Sequence, residues 1–89
     1  MIKSFKHKGL RKFANTGTTS GIQPQHRNKL QAILTFLEVA EHPEEMNFPG
    51  SDLHPLKGNL AGFWSVKVSG NWRVIFRMED GHAYNIDYL

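Results

Sequence analysis

The sequence predicts an α+β fold in which two helices pack on one face of an antiparallel sheet, in the order β-α-α-β-β-β. Two observations carry this prediction. Apolar residues in the first half of the chain follow helical spacing, and after residue 62 the apolar period changes to two. A chain of 89 residues can bury one modest core, so we expect a single domain spanning residues 1–89.

The first half contains a short strand and both helices. Residues 1–5 are predicted to form the strand, and residues 8–15 a short helix that ends at Gly17. A second helix is expected from about 24 to 41, between Pro24 and Pro43. Its apolar residues follow the i, i+3, i+4, i+7 spacing of an amphipathic helix: Leu30, Ile33, Leu34, Leu37 and Ala40.

The second half is predicted to be a connection followed by a meander. Residues 43–52 contain two prolines and a glycine, which favours at most one helical turn. Alternating apolar residues then indicate strands at 64–68 and 72–78, and a final strand at about 83–88 follows Asp80 and Gly81.

The length of the turn between the first two of these strands decides which side chains share a face. A two-residue turn at Ser69 and Gly70 would send the apolar residues of the two strands to opposite faces. We expect instead a three-residue turn over 69–71, which pairs Val68 with Trp72 and Val66 with Val74. It places Lys67 opposite Arg73 on the other face, with Arg77 further along the same strand.

This basic face and the overall charge point to a polyanionic partner. The net charge is +3; residues 1–12 hold five Lys or Arg and no acid, whereas residues 38–52 hold five acids and no Lys or Arg. Like charges opposed across strands are mildly destabilising, so a bound anion would account for the cluster, and a solvated outer face is the alternative. The acidic stretch suits a second, basic partner.

Other functional classes are excluded or disfavoured by composition. The chain has no cysteine, which excludes disulfides, thiolate metal sites and cysteine nucleophiles and fits a reducing cytoplasm. No apolar run indicates a secretion signal or a membrane segment. The histidines at 7, 26, 42 and 82 lack metal-ligand spacing, so we expect neither a metal nor another cofactor.

Three ordered motifs carry the most specific signal: His54-Pro55-Leu56-Lys57-Gly58, then Gly62-Phe63-Trp64-Ser65-Val66, then Asn71-Trp72-Arg73-Val74. Together with the opening Met1-Ile2-Lys3-Ser4-Phe5, they make the chain resemble the HigB toxins of type II toxin–antitoxin pairs, within the wider RelE-like group. The resemblance covers nearly the whole chain and is strongest from 54 to 76.

The resemblance implies a RelE-like, microbial-ribonuclease-like fold and ribosome-dependent cleavage of mRNA without a metal, which inhibits translation and growth. It also implies a HigA-like helix-turn-helix antitoxin, with operator DNA bound only through the complex. By the match of motif positions, Lys57 and Arg73 correspond to basic residues that the family uses on the scissile phosphate.

The chemistry of RNA cleavage suits these residue types. The 2′-hydroxyl of RNA can attack the adjacent phosphate, so the protein need only align groups, move protons and neutralise charge. Arg73 can hold two phosphate oxygens with its planar guanidinium, Lys57 can act as a second cation or as a base, and His54 can shuttle protons. The predicted RNA-binding residues are Lys67, Arg77, Asn71 and Tyr88.

Several of these residues also have a structural reading. Trp64 and Trp72 are expected in the core because they alternate with valines, and base stacking is their secondary role. His54 is as well explained as a turn residue that caps backbone groups. The positions of Tyr84 and Tyr88 stay open: a two-residue turn at 80–81 puts both on the basic face, and an odd-length turn sends both to the core.

The sequence leaves three alternative functions: a ribosome-dependent endoribonuclease toxin, a non-catalytic module that binds RNA or ribosomes, and a protein-interaction subunit whose basic face is incidental. HigB-like chains usually continue for about three more residues and end in Asp-Tyr-His, whereas this sequence ends at Asp87-Tyr88-Leu89. The terminal histidine is a candidate acid or base in that family, so the resemblance implies a truncated or weakened nuclease.

Overall fold

The computed structural model describes residues 1–89 and confirms the α+β class. Two helices, α1 (Lys8–Thr16) and α2 (Arg27–Val39), precede a four-stranded antiparallel sheet. Its strands lie in the order β1-β2-β3-β4: His54–Pro55, Trp64–Ser69, Trp72–Glu79 and His82–Tyr88. Short 3-10 turns at Pro24–His26, Pro43–Met46 and Gly58–Leu60 join these elements.

Local side-chain chemistry fixes the ends of α1. His7 caps its N-terminus by accepting the Leu10 N–H on Nδ1 at 2.9 Å. Gly17 ends it with a φ of 80° and donates its N–H to the Phe13 carbonyl at 2.8 Å, an arrangement that a residue with a Cβ adopts only at a cost. The predicted bounds of this helix are therefore confirmed to within one residue.

The predicted second helix is split. Residues Pro24–His26 form a single 3-10 turn, and regular α-helical geometry runs only from Arg27 to Val39. The connection that follows contains one 3-10 turn, as predicted for residues 43–52.

The predicted strand at 1–5 is wrong. This segment makes only two isolated bridges to β4, Ile2 with Ala83 and Phe5 with Ile86, and both are parallel. The fourth strand of the sheet is instead the two-residue β1, which the sequence pattern did not indicate because Pro55 interrupts any alternation.

Both helices lie on the same face of the sheet, as predicted. The buried apolar side chains of α1 and α2 form one cluster with Val66, Val74, Phe76 and Ile86 from the strands. Full burial of such a side chain contributes about 1.5–3 kcal/mol, so this cluster fixes which face of each strand points inward. No helix is long and apolar enough to cross a membrane.

A β-bulge sets the register between β2 and β3. Val66 faces Val74 and Lys67 faces Arg73, as predicted, but Ser69 faces Trp72. The turn is thus two residues, Gly70 and Asn71, and the predicted pairing of Val68 with Trp72 is wrong. Val68 is the extra residue in β2. One extra residue in a strand has the same effect as an odd-length turn, because both change which side chains of the two strands share a face.

A second bulge divides β4. Glu79 faces His82 across a two-residue Asp80-Gly81 turn, in which both residues have positive φ (53° and 78°). Arg77 then faces Tyr84, but Ile75 faces Asp87, so β4 has one extra residue between these pairs. Asn85 lies there with a φ of 55°.

Candidate functional site

A small polar pocket of about 110 Å³ lies at the end of the β2–β3 hairpin. It combines three predicted site residues, His54, Lys67 and Arg73, with four residues that were not predicted as site residues. These are Asp52, Ser65, Gly70 and Trp72.

The strand register places the three predicted residues together. His54 in β1 faces Ser65 in β2, and Lys67, two residues further along β2, faces Arg73 in β3. The loop before β1 is tied to the same place, because the Lys67 N–H donates to the Ser51 carbonyl at 2.7 Å.

Neither cation of the pocket makes an ion pair, although Asp52 also lines the pocket. The only ion pairs in the chain are Lys6 with Asp87 and Arg77 with Glu79. Lys67 is exposed and Arg73 half-buried, and neither side chain makes an ion pair. Positive charge without a carboxylate partner is an arrangement that an anion such as a phosphate would stabilise.

His54 presents a defined nitrogen to the pocket. Its Nδ1 lies 3.0 Å from the Asp52 carbonyl oxygen, which can only accept a hydrogen bond. Nδ1 therefore carries the proton in the neutral ring, and Nε2 is left as the basic nitrogen. The predicted contact of His54 with a backbone group is confirmed, and it also selects the tautomer. The role of His54 as a proton shuttle stays a prediction.

Lys57 does not line this pocket. Pro55 faces Trp64, whereas Arg73 faces Lys67, which is three positions later in β2. Lys57 lies beyond the end of β1, immediately before the 3-10 turn Gly58–Leu60. The expectation that Lys57 and Arg73 converge on a single phosphate stays a prediction.

Arg77 lies on the same face but outside the pocket, with its guanidinium engaged elsewhere. Its Nε donates to Asn85 Oδ1 at 2.9 Å, its Nη1 lies 2.8 Å from Glu79 Oε2, and it stacks over the Tyr84 ring at 4.7 Å. Asn71 is exposed in the hairpin turn, between the pocket residues Gly70 and Trp72.

Tyr88 does not lie on the basic face, contrary to prediction. It is 3% exposed and belongs to the core cluster, because the bulge at Asn85 reverses the orientation of the residues after it. Its hydroxyl accepts the Gln23 N–H at 3.3 Å and lies 2.6 Å from His26 Nδ1. Burial raises the pKa of Tyr88, and the hydrogen bond from Gln23 offsets part of this rise. Tyr84, before the bulge, faces the basic side.

The expectation that both tryptophans are core residues is half right. Trp64 is half-buried against the core, but Trp72 is 36% exposed and borders the pocket. Ser65 could have been found from the sequence, since it alternates with Lys67 on one strand face. Asp52 carries no such signal, because a loop with positive φ at Asp52 (47°) and Gly50 (84°) brings it there.

The larger depression on the molecule is a poor site for an anion. It has a volume of about 440 Å³, lies between α1, α2 and the N-terminal segment, and is lined partly by Ile2, Phe5, Leu34 and Val39. Glu38 is its only charged side chain. No group of three or more His, Asp or Glu side chains is arranged to hold a metal ion anywhere in the chain.

Comparisons with known proteins agree in pointing to one family. The model of a family described as RelE-like toxin of type II toxin-antitoxin system HigB matches residues 3–89. The Endoribonuclease HigB of Proteus vulgaris is 42% identical over 88 residues, which cover 99% of this chain and 96% of that protein. The Toxin HigB-1 of Vibrio cholerae serotype O1 is 32% identical over 87 residues, 96% of this chain and 92% of the relative.

Proposed function

Because the chain belongs to the HigB family of RelE-like toxins of type II toxin–antitoxin systems, we propose that it is an endoribonuclease that cuts mRNA on the ribosome and so inhibits translation and growth. The name of the Proteus relative supports the nuclease activity. The observation that carries the proposal is the pocket in which Lys67 and Arg73 face each other without a carboxylate partner, beside a histidine with a defined basic nitrogen.

In the proposed reaction the RNA supplies its own nucleophile. His54 Nε2 takes the proton of the 2′-hydroxyl, and the 2′-oxygen attacks the adjacent phosphorus. The bond from phosphorus to the 5′-oxygen breaks, leaving a 2′,3′-cyclic phosphate, and the departing 5′-oxygen takes a proton from water to become a 5′-hydroxyl. The guanidinium of Arg73 and the ammonium of Lys67 stabilise the charge that develops on the non-bridging oxygens.

Two residues are assigned to the path of the RNA outside the pocket. Lys57 lies beyond the end of β1 and outside the pocket, and Asn71 is exposed in the hairpin turn beside the pocket. At these positions they would contact nucleotides next to the cleaved bond. The few acid–base groups in the pocket support dependence on the ribosome, which would position the message.

The family implies an antitoxin partner. We propose that this antitoxin is a HigA-like helix-turn-helix protein, that operator DNA is bound only through the complex, and that the toxin acts in the cytoplasm on ribosomes. The exposed acids Glu38, Glu41, Glu44 and Glu45 offer the antitoxin charge of opposite sign to that of Lys67 and Arg73.

Substitution of Arg73 tests the nuclease proposal. Loss of one preorganised donor to a developing oxyanion typically costs about 100- to 1,000-fold in rate, so Arg73→Ala should lower the cleavage rate of ribosome-bound mRNA by that factor. Arg11→Ala is the matched control, because it removes the same charge from an exposed position in α1. Unchanged cleavage by Arg73→Ala would overturn the assignment; binding to ribosomes without any cleavage by the unaltered chain would favour a non-catalytic module.

A further inference from the structure

Trp72 is an exposed aromatic ring with a rigid support. It is 36% exposed, and its indole stacks on the Tyr88 ring with centroids 4.7 Å apart and an angle of 26° between the planes. His26 meets it edge-on at 5.6 Å. Tyr88 covers one face of the indole, and Trp72 is also one of the residues that line the pocket with Arg73.

The support is anchored in the core. Tyr88 is 3% exposed, and its hydroxyl is fixed by His26 Nδ1 at 2.6 Å and by the Gln23 N–H at 3.3 Å. Because its support is fixed, the indole of Trp72 loses little conformational freedom when a ligand stacks on it. Binding there therefore costs less entropy than at a mobile side chain. A core-packing role alone does not require the indole to remain exposed.

The size of the pocket limits what can enter it. Its volume of about 110 Å³ is well below the roughly 300 Å³ at which pockets for drug-sized ligands begin. A phosphate group fits such a space, but the bases on either side of it must lie outside. Trp72 lines the same pocket as Arg73, and its indole is partly exposed, so it is an apolar surface available to such a base.

We propose that Trp72 is a base-binding subsite, on which the base of a nucleotide flanking the scissile phosphate stacks. The inference rests on the proposed nuclease function and names a contact of the same site. Stacking uses the π-face common to all bases, so the subsite contributes affinity for single-stranded RNA with little choice of sequence.

Fluorescence provides the direct test, because the chain has only two tryptophans. In a Trp64→Phe background Trp72 is the only tryptophan, and its fluorescence, excited selectively over that of the tyrosines, is titrated with a 2′-O-methyl hexanucleotide, which lacks the attacking hydroxyl and cannot be cut. We expect saturable quenching. Replacing Trp72 by Leu in the Trp64-containing chain should weaken binding of the same probe roughly 5- to 150-fold, the range for one base stack. Trp72→Phe should restore most of the affinity.

Two further measurements separate stacking from a structural role. A series of hexanucleotides, each abasic at a different position, is titrated against the unaltered chain. One member of the series should bind more weakly than the others, and this difference should disappear in Trp72→Leu. Thermal unfolding of both Trp72 variants controls for loss of the fold, and the retained ring of Trp72→Phe keeps the test decisive if Trp72→Leu unfolds.

The outcomes distinguish this inference from the proposed function. If Trp72 is not quenched up to millimolar probe while Arg73-dependent cleavage on the ribosome is intact, the stacking contact is refuted and the nuclease proposal stands. If quenching and the abasic effect are present but the chain does not cleave ribosome-bound message, the subsite is supported and the nuclease proposal fails.

Discussion

Removing the charge of Lys67 should stabilise the fold while it weakens the site. Lys67 and Arg73 face each other directly across β2 and β3, and neither makes an ion pair. Two unit charges that splay to about 7 Å repel by roughly 0.6 kcal/mol in water before salt screening. This agrees with the range of about 0.2–1 kcal/mol measured for opposed cross-strand pairs.

The expected effect of Lys67→Gln on melting temperature follows from this energy. A change of 1 kcal/mol shifts the melting temperature of a domain of this size by about 4–8 °C, so Lys67→Gln should raise it by roughly 1–8 °C at low salt. Screening at 1 M salt acts over about 3 Å and should remove most of the gain. Lys12→Gln is the control, since Lys12 is exposed on α1 and makes no ion pair.

The same variant should bind RNA more weakly. Loss of one phosphate contact lowers the slope of log affinity against log salt by about 0.7 for a single strand, which a titration with the 2′-O-methyl hexanucleotide at several salt concentrations measures. Differential scanning calorimetry gives the stability. A lower melting temperature for Lys67→Gln, together with unaltered RNA affinity, would refute the view that this charge is retained for an anion at a cost to the fold.

Two further variants test the buried hydrogen bonds and the bulge. Tyr88→Phe leaves His26 Nδ1 buried without its partner and should cost about 1–3 kcal/mol in urea unfolding at neutral pH. Burial raises the pKa of Tyr88 above 10.0, so the contribution of the neutral side chain to stability is full below pH 10 and is lost as the pH rises further. Tyrosinate absorbance should therefore show a tyrosine that titrates late and that is removed by Tyr88→Phe. The absence of a late-titrating tyrosine would contradict this. Asn85→Ala should destabilise the fold more than Asn85→Gly, by about 1 kcal/mol. Both variants lose the contact to Arg77, but only alanine is strained at positive φ. The reverse order would show that the positive φ does not determine which residue is preferred at position 85.

Helix positions and the fold class could be predicted because they depend on local signals. The spacing of Leu30, Ile33, Leu34 and Leu37 identifies a buried helix face, and all four are buried in the structure. The N-terminal strand could not be predicted correctly, since alternation over five residues does not distinguish a strand from an extended segment with two isolated bridges.

The part of the site that depends only on the register between β2 and β3 was predicted correctly. Lys67 opposite Arg73 follows from collecting the valines on one face, and the structure has that pair. Lys57 was assigned to the scissile phosphate together with Arg73 because its motif matches that of the HigB family. Its position depends on the pairing of β1 with β2, which no local pattern revealed.

The sequence by itself determined the α+β class, the two helices, the basic pair at 67 and 73, and the family motifs from 54 to 76. Only the tertiary structure decided that Tyr88 is buried, that Trp72 is exposed and that Lys57 lies apart from the pocket. Trp72 is the first residue of β3 and Lys57 lies beyond the end of β1, so the surroundings of both depend on how the strands pair. For Tyr88 the physical reason is that one extra residue, Asn85, reverses the face of the strand residues beyond it. Bulges of this kind are stabilised by packing between strands rather than by any pattern within one strand.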